Sequence, residues 1–132
     1  MILSIYALGV GCERGCAPDE LLDLVNKVLQ DAAIKPSDLS GIHSIDLRRG
    51  EPAILNVAQK FNRPVCYFSA AILEEQTPSL LNPSDRVFAL MGCHGVAEAA
   101  ALAGFGPTGV LVVGKTKSAH ATAALAVQRD KK

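Results

Sequence analysis

The stretch ILSIYALGVGCERGCAP, Ile2 to Pro18, decides how this chain reads. Ile2 to Val10 is an almost unbroken apolar run that ends in Gly9-Val10-Gly11, the pattern of a strand buried on both faces and feeding a loop. Gly9 and Gly11 offer close backbone approach and freedom for positive φ. Pro18 suits a first helical position, and Asp19 and Glu20 fall in the first turn, where the helix dipole favours negative charge. Leu21, Val25, Val28 and Ala32, flanked by Leu22, Leu29 and Ala33, then form a stripe of period about 3.6 that carries the helix to about Ile34. A strand, a glycine-rich loop and a helix therefore open the fold.

The same alternation continues down the chain. Pro36, Ser37, Asp38 and Gly41 make Lys35 to Gly41 a connection, and Ile42 to Leu47 reads as a short strand. Arg48-Arg49-Gly50-Glu51-Pro52 breaks it, and Pro52 opens a helix with Ile54, Val57, Ala58 and Phe61 on one face. Val65 to Phe68 is a third strand, and Ser69 caps a brief helix through Glu75. Thr77 to Pro83 reads as a surface crossover. Ser84 caps a helix carrying Val87, Leu90 and Met91 and ended by Gly92, with a strand over Arg86 to Met91 as the alternative. A small-residue helix over Val96 to Ala103, strands over Val110 to Val113 and Ala121 to Val127, and a frayed RDKK tail complete the series. This order predicts an α/β domain with a mostly parallel five-stranded sheet covered on both faces. The connection Gly114 to His120 is too short for a crossover, so the last strand should lie antiparallel beside its predecessor or at an edge. The length, 132 residues, suits a single domain spanning 1–132.

With 49% hydrophobic residues and no Trp, the core must come from Ala, Val, Leu and Ile. Thirteen basic and thirteen acidic residues cancel, so no overall field draws the chain to nucleic acid or an anionic membrane, and an anionic ligand must be held locally. The apolar run from Ile2 is too short to span a bilayer and has no basic residue before it, which argues against a signal peptide and for a cytoplasmic protein. Cys12, Cys16, Cys66 and Cys93 read as reduced thiols.

In such sheets ligands bind outside the carboxyl ends of the parallel strands, at the loops Gly9 to Cys16, Asp46 to Glu51, Ser69, and Gly114 to His120. The first loop has the spacing G-x-G-x-x-x-G, one residue longer than a dinucleotide fingerprint, and the acids behind it oppose a phosphate. Cys12, Cys16, Cys93 and His94 could in principle ligate metal, but their spacing is a poor match to structural zinc sites, so neither a metal nor a cofactor is expected. Exposed strand or loop positions account for His43 and His120. Asp46, Arg48, Arg49 and Glu51 crowd the end of the second strand, and Lys115 and Lys117 follow the penultimate one. A solvated hairpin tip and a charged helix start would explain them, yet both clusters fall on the ligand edge beside Arg14. Three cationic patches around one cleft are what a polycarboxylate requires. Glu98, in a helix of small residues, faces either solvent or a site.

G-x-G-C-x-x-G at Gly9 to Gly15, S-I-D-L-R-R-x-E at Ser44 to Glu51, F-S at Phe68 and Ser69, P-S-x-x-V at Pro83 to Val87, G-V-A-E-A-A-A at Gly95 to Ala101, K-x-K-S at Lys115 to Ser118 and T-x-A-x-A at Thr122 to Ala126 together resemble the CobE family and the C-terminal domain of CbiG. The match covers nearly the whole chain in order. The resemblance implies a three-layer α/β/α fold with a mixed sheet and a role in cobalamin (vitamin B12) biosynthesis. It also implies a precorrin or corrinoid intermediate as ligand, bound by a carrier or accessory to the pathway enzymes, with Gly9, Gly11, Cys12, Arg14, Gly15, Asp46, Arg48, Arg49, Glu51, Ser69, Glu98, Lys115 and Lys117 around it. One alternative is the hydrolysis of the cobalt-precorrin-5A lactone with acetaldehyde release, as in full-length CbiG, for which Asp46, Glu98 and His94 are the candidate acids and bases. The N-terminal CbiG regions that accompany that activity are absent from this sequence. A second alternative is a scaffold subunit for other cobalamin-pathway enzymes. Cys93 and His94 stand where small, less reactive residues are expected in the family.

Overall fold

The computed structural model describes residues 4–128; Met1 to Leu3 and the tail from Arg129, expected to fray, lie outside the described residues. The first strand, β1 (Tyr6–Cys12), leads through the glycine loop into α1 (Pro18–Ala32), with Pro18 in the first turn beside Asp19 and Glu20. Ala33, in the left-handed region at φ 57°, ends that helix. Next come β2 (Leu39–Ile45), α2 (Pro52–Phe61), β3 (Val65–Phe68) and a one-turn helix α3 (Ala70–Glu74), whose Ser69 cap accepts from the Ile72 N–H at 3.2 Å. Helix α4 (Asp85–Met91) is capped in the same way by Ser84 and ended by Gly92 at φ 84°, which rules out the strand reading of that segment. Helix α5 (Ala97–Ala103) and the hairpin of β4 (Gly109–Lys117) and β5 (Ala121–Gln128) follow.

The sheet order is β3-β2-β1-β5-β4. The pairs β1·β2 and β2·β3 are parallel and β1·β5 and β5·β4 antiparallel, so every strand but β5 points the same way. The sheet is thus mixed, and the last strand does lie antiparallel beside its predecessor. It is not at an edge: β5 fits between β1 and β4, pairing along all of β1 from Tyr6↔Val127 to Cys12↔Ala121. Strand β4 also outruns the expected Val110 to Val113 and carries Lys115 and Lys117 within it, leaving only Ser118 to His120 as the turn.

One face of the sheet packs Leu8, Val10, Ala123 and Leu125 against Leu21, Val25 and Val28 of α1 and Ile54 and Val57 of α2. On the other face Ile45 and Ala126 meet Leu73 of α3 and Ala99 to Leu102 of α5. The layers are therefore α/β/α. What sets the second face apart is its closeness. A Cβ built on Gly9 would stand 1.9 Å from the Ala97 carbonyl oxygen and 2.6 Å from the Ala101 nitrogen, so only glycine lets β1 meet the α5 backbone. Gly9 and Gly11 do not use positive φ; in that loop Gly15 does, at 78°.

His43 corrects another expectation. It is 5% exposed, on the α5 side of β2, with both ring nitrogens lacking a hydrogen-bond partner among the described residues. Its ring stacks at 5.9 Å on Phe68 and fills the space left by Gly104, where a Cβ would lie 3.0 Å from the ring. Burial pushes its pKa down from 6.5 to about 4.

Gly9→Ala is expected to remove more than about 3 kcal/mol of stability or abolish folding, because the obstacle is backbone. Gly15→Ala, with open space but φ 78°, should cost only about 1 kcal/mol; urea unfolding of both variants checks the contrast, and equal losses would refute it. Between pH 6.5 and about 4 the unfolded chain takes up a proton that folded His43 refuses, so stability should fall as pH drops through that window. The loss is on the order of 3 kcal/mol, and His43→Leu should flatten this acid limb in unfolding curves recorded from pH 7 to 4.

Candidate functional site: a cleft at the carboxyl ends of the strands

A cleft of about 480 Å³ opens where β1 ends, between α4, the start of α5 and the β4–β5 turn. Its cations are Arg48, Arg86, Lys115 and Lys117, and its apolar wall is Val87, Leu90 and Met91 of α4. Gly11, Val96, Ala121 and Thr122 form the opposite, small-residue side. Two glycines permit this: a Cβ on Gly11 would come 2.9 Å from the Thr122 hydroxyl, and one on Gly95 3.1 Å from Leu80.

Local structure brings each group there. The backbone turns through Asp46–Arg48 in a single 3-10 turn, from which the Arg48 Nε donates to the Cys12 carbonyl at 2.7 Å and secures the end of β1. The buried Glu51 accepts from the Gly15 N–H at 2.9 Å, and Arg14 donates to the Leu47 carbonyl at 2.9 Å, so the first two loops are clasped together. Ser44 reinforces the pair by donating to the Val10 carbonyl at 2.7 Å.

Glu98 points inward. Only 2% exposed, its carboxylate accepts from the Leu81 and Asn82 N–H groups at 3.0 Å each, from the Asn82 side chain at 2.8 Å and from the Lys115 N–H at 2.8 Å. Four donors on one carboxylate tie the crossover before α4 to β4 across the start of α5.

A second carboxylate secures the hairpin turn. Glu20 of α1 accepts from the Ser118 hydroxyl, from the His120 N–H at 2.6 Å and pairs with His120 Nδ1 at 2.9 Å. The Ser118 and His120 hydrogen bonds hold the Glu20 carboxyl down at about 2, and the same carboxylate raises the His120 pKa. His120 lies exposed in the turn, as its place in the sequence predicts, and it also lines the cleft. His94 belongs elsewhere. Its Nδ1 meets Glu74 at 2.9 Å, its ring stacks at 4.4 Å on Phe88, and its Nε2 stands 3.5 Å from Asp85.

Of the residues singled out in the sequence, Gly11, Cys12, Arg48, Glu98, Lys115 and Lys117 line the cleft. Gly9 lies under α5, Ser69 caps α3, Arg49 sits 4.6 Å over the Tyr67 ring, and Arg14, Gly15, Asp46 and Glu51 stand behind or beside the lining. Arg86 and the apolar face of α4 were not legible as site residues, because only the crossover after α3 turns that helix over the strand ends. Burial pushes the Cys12 thiol up to about 12, with Cys16 and Glu51 adding to it, and burial likewise raises Cys16 and Cys93. No group of three or more His, Cys, Asp or Glu side chains among the described residues is placed to hold a metal ion. Among them, too, no helix is long and apolar enough to cross a membrane.

Residues 6–126 match the family described as cobalamin synthesis G C-terminus. The chain belongs to that family. This cobalamin synthesis G C-terminal chain is 52% identical over 119 residues to Protein CobE of Sinorhizobium sp, covering 90% of its own length and 77% of the relative's. It is 31% identical over 123 residues to the cobalt-precorrin-5A hydrolase of Priestia megaterium; that match takes in 93% of the chain but 32% of the hydrolase. The crystal structure of CobE, a protein from the cobalamin (vitamin B12) biosynthetic pathway, superposes with a TM-score of 0.90 at 34% identity, over 99% of this chain and 95% of that one. The chain is thus a cobalamin biosynthesis protein with the CobE fold.

Glu98→Gln should test the tie across the cleft, since the amide nitrogen would face N–H donors where an oxygen now accepts. The expected cost is about 2 kcal/mol, with faster hydrogen exchange at the Leu81, Asn82 and Lys115 amides; unchanged protection at all of them would show that the tie does not hold the crossover.

Proposed function

We propose that the cleft binds a precorrin or corrinoid intermediate and that the protein serves the cobalamin pathway as a carrier or accessory of such an intermediate. The observation that carries this reading is the convergence of Arg48, Arg86, Lys115 and Lys117 around an apolar wall. Precorrins and corrinoids bear a rim of acetate and propionate groups on a largely apolar ring. Cations at the mouth and aliphatic side chains within match that division. Glu13 and Glu98 are the acids in the lining, and Glu98 already has its oxygens turned to backbone and Asn82 donors, so the local balance favours an anion.

The geometry supports binding better than hydrolysis. Asp46, Glu98 and His94 do not converge on one point: Glu98 is engaged by four donors, His94 is paired with Glu74, and Asp46 is outside the lining. The hydrolase to which the chain is similar is also about three times as long as the matched part.

Titration with hydrogenobyrinic acid, followed by the tetrapyrrole absorbance, should show saturable binding that weakens as salt is raised. Lys115→Glu combined with Lys117→Glu should weaken it more than about tenfold while leaving the thermal melt unchanged, because the Lys115 contact to Glu98 is made by backbone. Absence of a spectral change at low salt would remove the binding reading, and acetaldehyde released from a cobalt-precorrin-5A lactone would put hydrolysis in its place.

A further inference from the structure

Helix α4 is built unlike the other helices. Its sequence from Val87 to Met91 is apolar throughout, yet it buries none of its side chains; Leu90 is 70% exposed, and Phe88 and Ala89 are exposed too. A globular protein ordinarily turns such a helix inward, and a contiguous apolar face left in water marks an interaction surface. The helix is nonetheless held in a defined place. The Ser84 N–H donates to the His94 carbonyl at 2.8 Å, the Phe88 ring stacks on His94, and Gly92 turns the chain back at φ 84°. Phe88 therefore fastens α4 from behind while Val87, Leu90 and Met91 face the cleft.

We infer that the exposed face of α4 is a platform for the flat apolar face of a macrocycle, and that the ligand lies as a slab between it and the small-residue wall of Gly11, Val96 and Thr122. This rests on the tetrapyrrole reading of the cleft and adds to it the orientation and the source of affinity. Three features favour this occupant over others. The apolar face is continuous with the cleft. Arg86 on α4 itself and Arg48, Lys115 and Lys117 across from it surround that face with positive charge, which a ligand having an apolar centre and a carboxylate rim complements. The opposite side presents nothing larger than Val96 and Thr122, and the cleft of about 480 Å³ leaves room for a ring and not merely for a chain of carboxylates. Rim contacts are screened by salt, whereas contact with α4 is not.

The experiment uses the whole chain and compares hydrogenobyrinic acid with butane-1,2,3,4-tetracarboxylic acid, which offers carboxylates without a ring. At 0.5 M sodium chloride the macrocycle should retain measurable binding and the acyclic acid none. Leu90→Gln, at a position too exposed to support the fold, should weaken macrocycle binding about tenfold at both low and high salt, and Leu90→Met should restore it. Wild-type binding that is unaffected by Leu90→Gln overturns the platform while leaving the cleft reading intact; absence of wild-type binding removes the reading beneath it. Sedimentation of the same variants tests the other occupant. If wild type self-associates, Leu90→Gln abolishes this and macrocycle binding does not change, α4 is a contact between copies of the chain and the inference is wrong.

Discussion

The fold depends on how closely one helix lies on one strand. At Gly9 the backbone of β1 lies against that of α5, with the Ala97 carbonyl where any side chain would have to go. Around this point the sheet and helix are faced with small residues: Ala7, Gly9 and Gly11 on β1, Ala124 and Ala126 on β5, Ala97, Ala100 and Ala101 on α5. Bulk has moved to the opposite face, where Leu8, Val10 and Leu125 meet α1 and α2. Tight packing of this kind gains dispersion from many short contacts and leaves little freedom to relax. It also fixes where α5 begins, and so where Glu98 projects. The cleft follows from that position, because Glu98 then reaches both the crossover before α4 and the backbone of β4.

The parts that were legible in sequence are those in which local chemistry and tertiary role agree. The apolar run ending in glycines, Pro18 with two acids behind it, and the serine caps before α3 and α4 each state a local preference that the fold keeps. The parts that were not legible depend on long-range pairing. Nothing in Ala121 to Gln128 says that this strand inserts beside β1 rather than at an edge; the preference comes from its small residues, which only matter once α5 is known to lie on them. The valines Val110 to Val113 predict a strand that stops before Lys115 and Lys117, whereas pairing with β5 extends it through both lysines. His43 reads as an ordinary polar residue on a strand, and only its neighbour Gly104 reveals a buried niche of its size.

The same distinction applies to the cleft. Four of its features come from motifs that stand out in the chain: the glycine loop, Arg48 after β2, the lysines of β4 and the lone acid of α5. The fifth, helix α4, carries only the P-S-x-x-V motif of its cap and first turn, which names no ligand group. Its importance appears when none of its side chains is found fully buried, only Met91 packing against the core beneath α5. An apolar helix that leaves Phe88, Ala89 and Leu90 exposed is a statement about a partner, and the charges around it narrow what that partner is.

The place of β5 has a consequence for how the molecule forms. β1 is the centre of the sheet, but one of its two neighbours is separated from it by more than a hundred residues, as the pairing of Tyr6 with Val127 shows. Until that neighbour is synthesised, a long hydrophobic edge of β1 stays open, and α5 has only half a sheet to lie on. Such a topology has high contact order and folds slowly. During synthesis β1 therefore stays open along one edge until β5 has emerged, a state prone to wrong pairing, and the cationic wall of the cleft is completed only in the step that closes this edge.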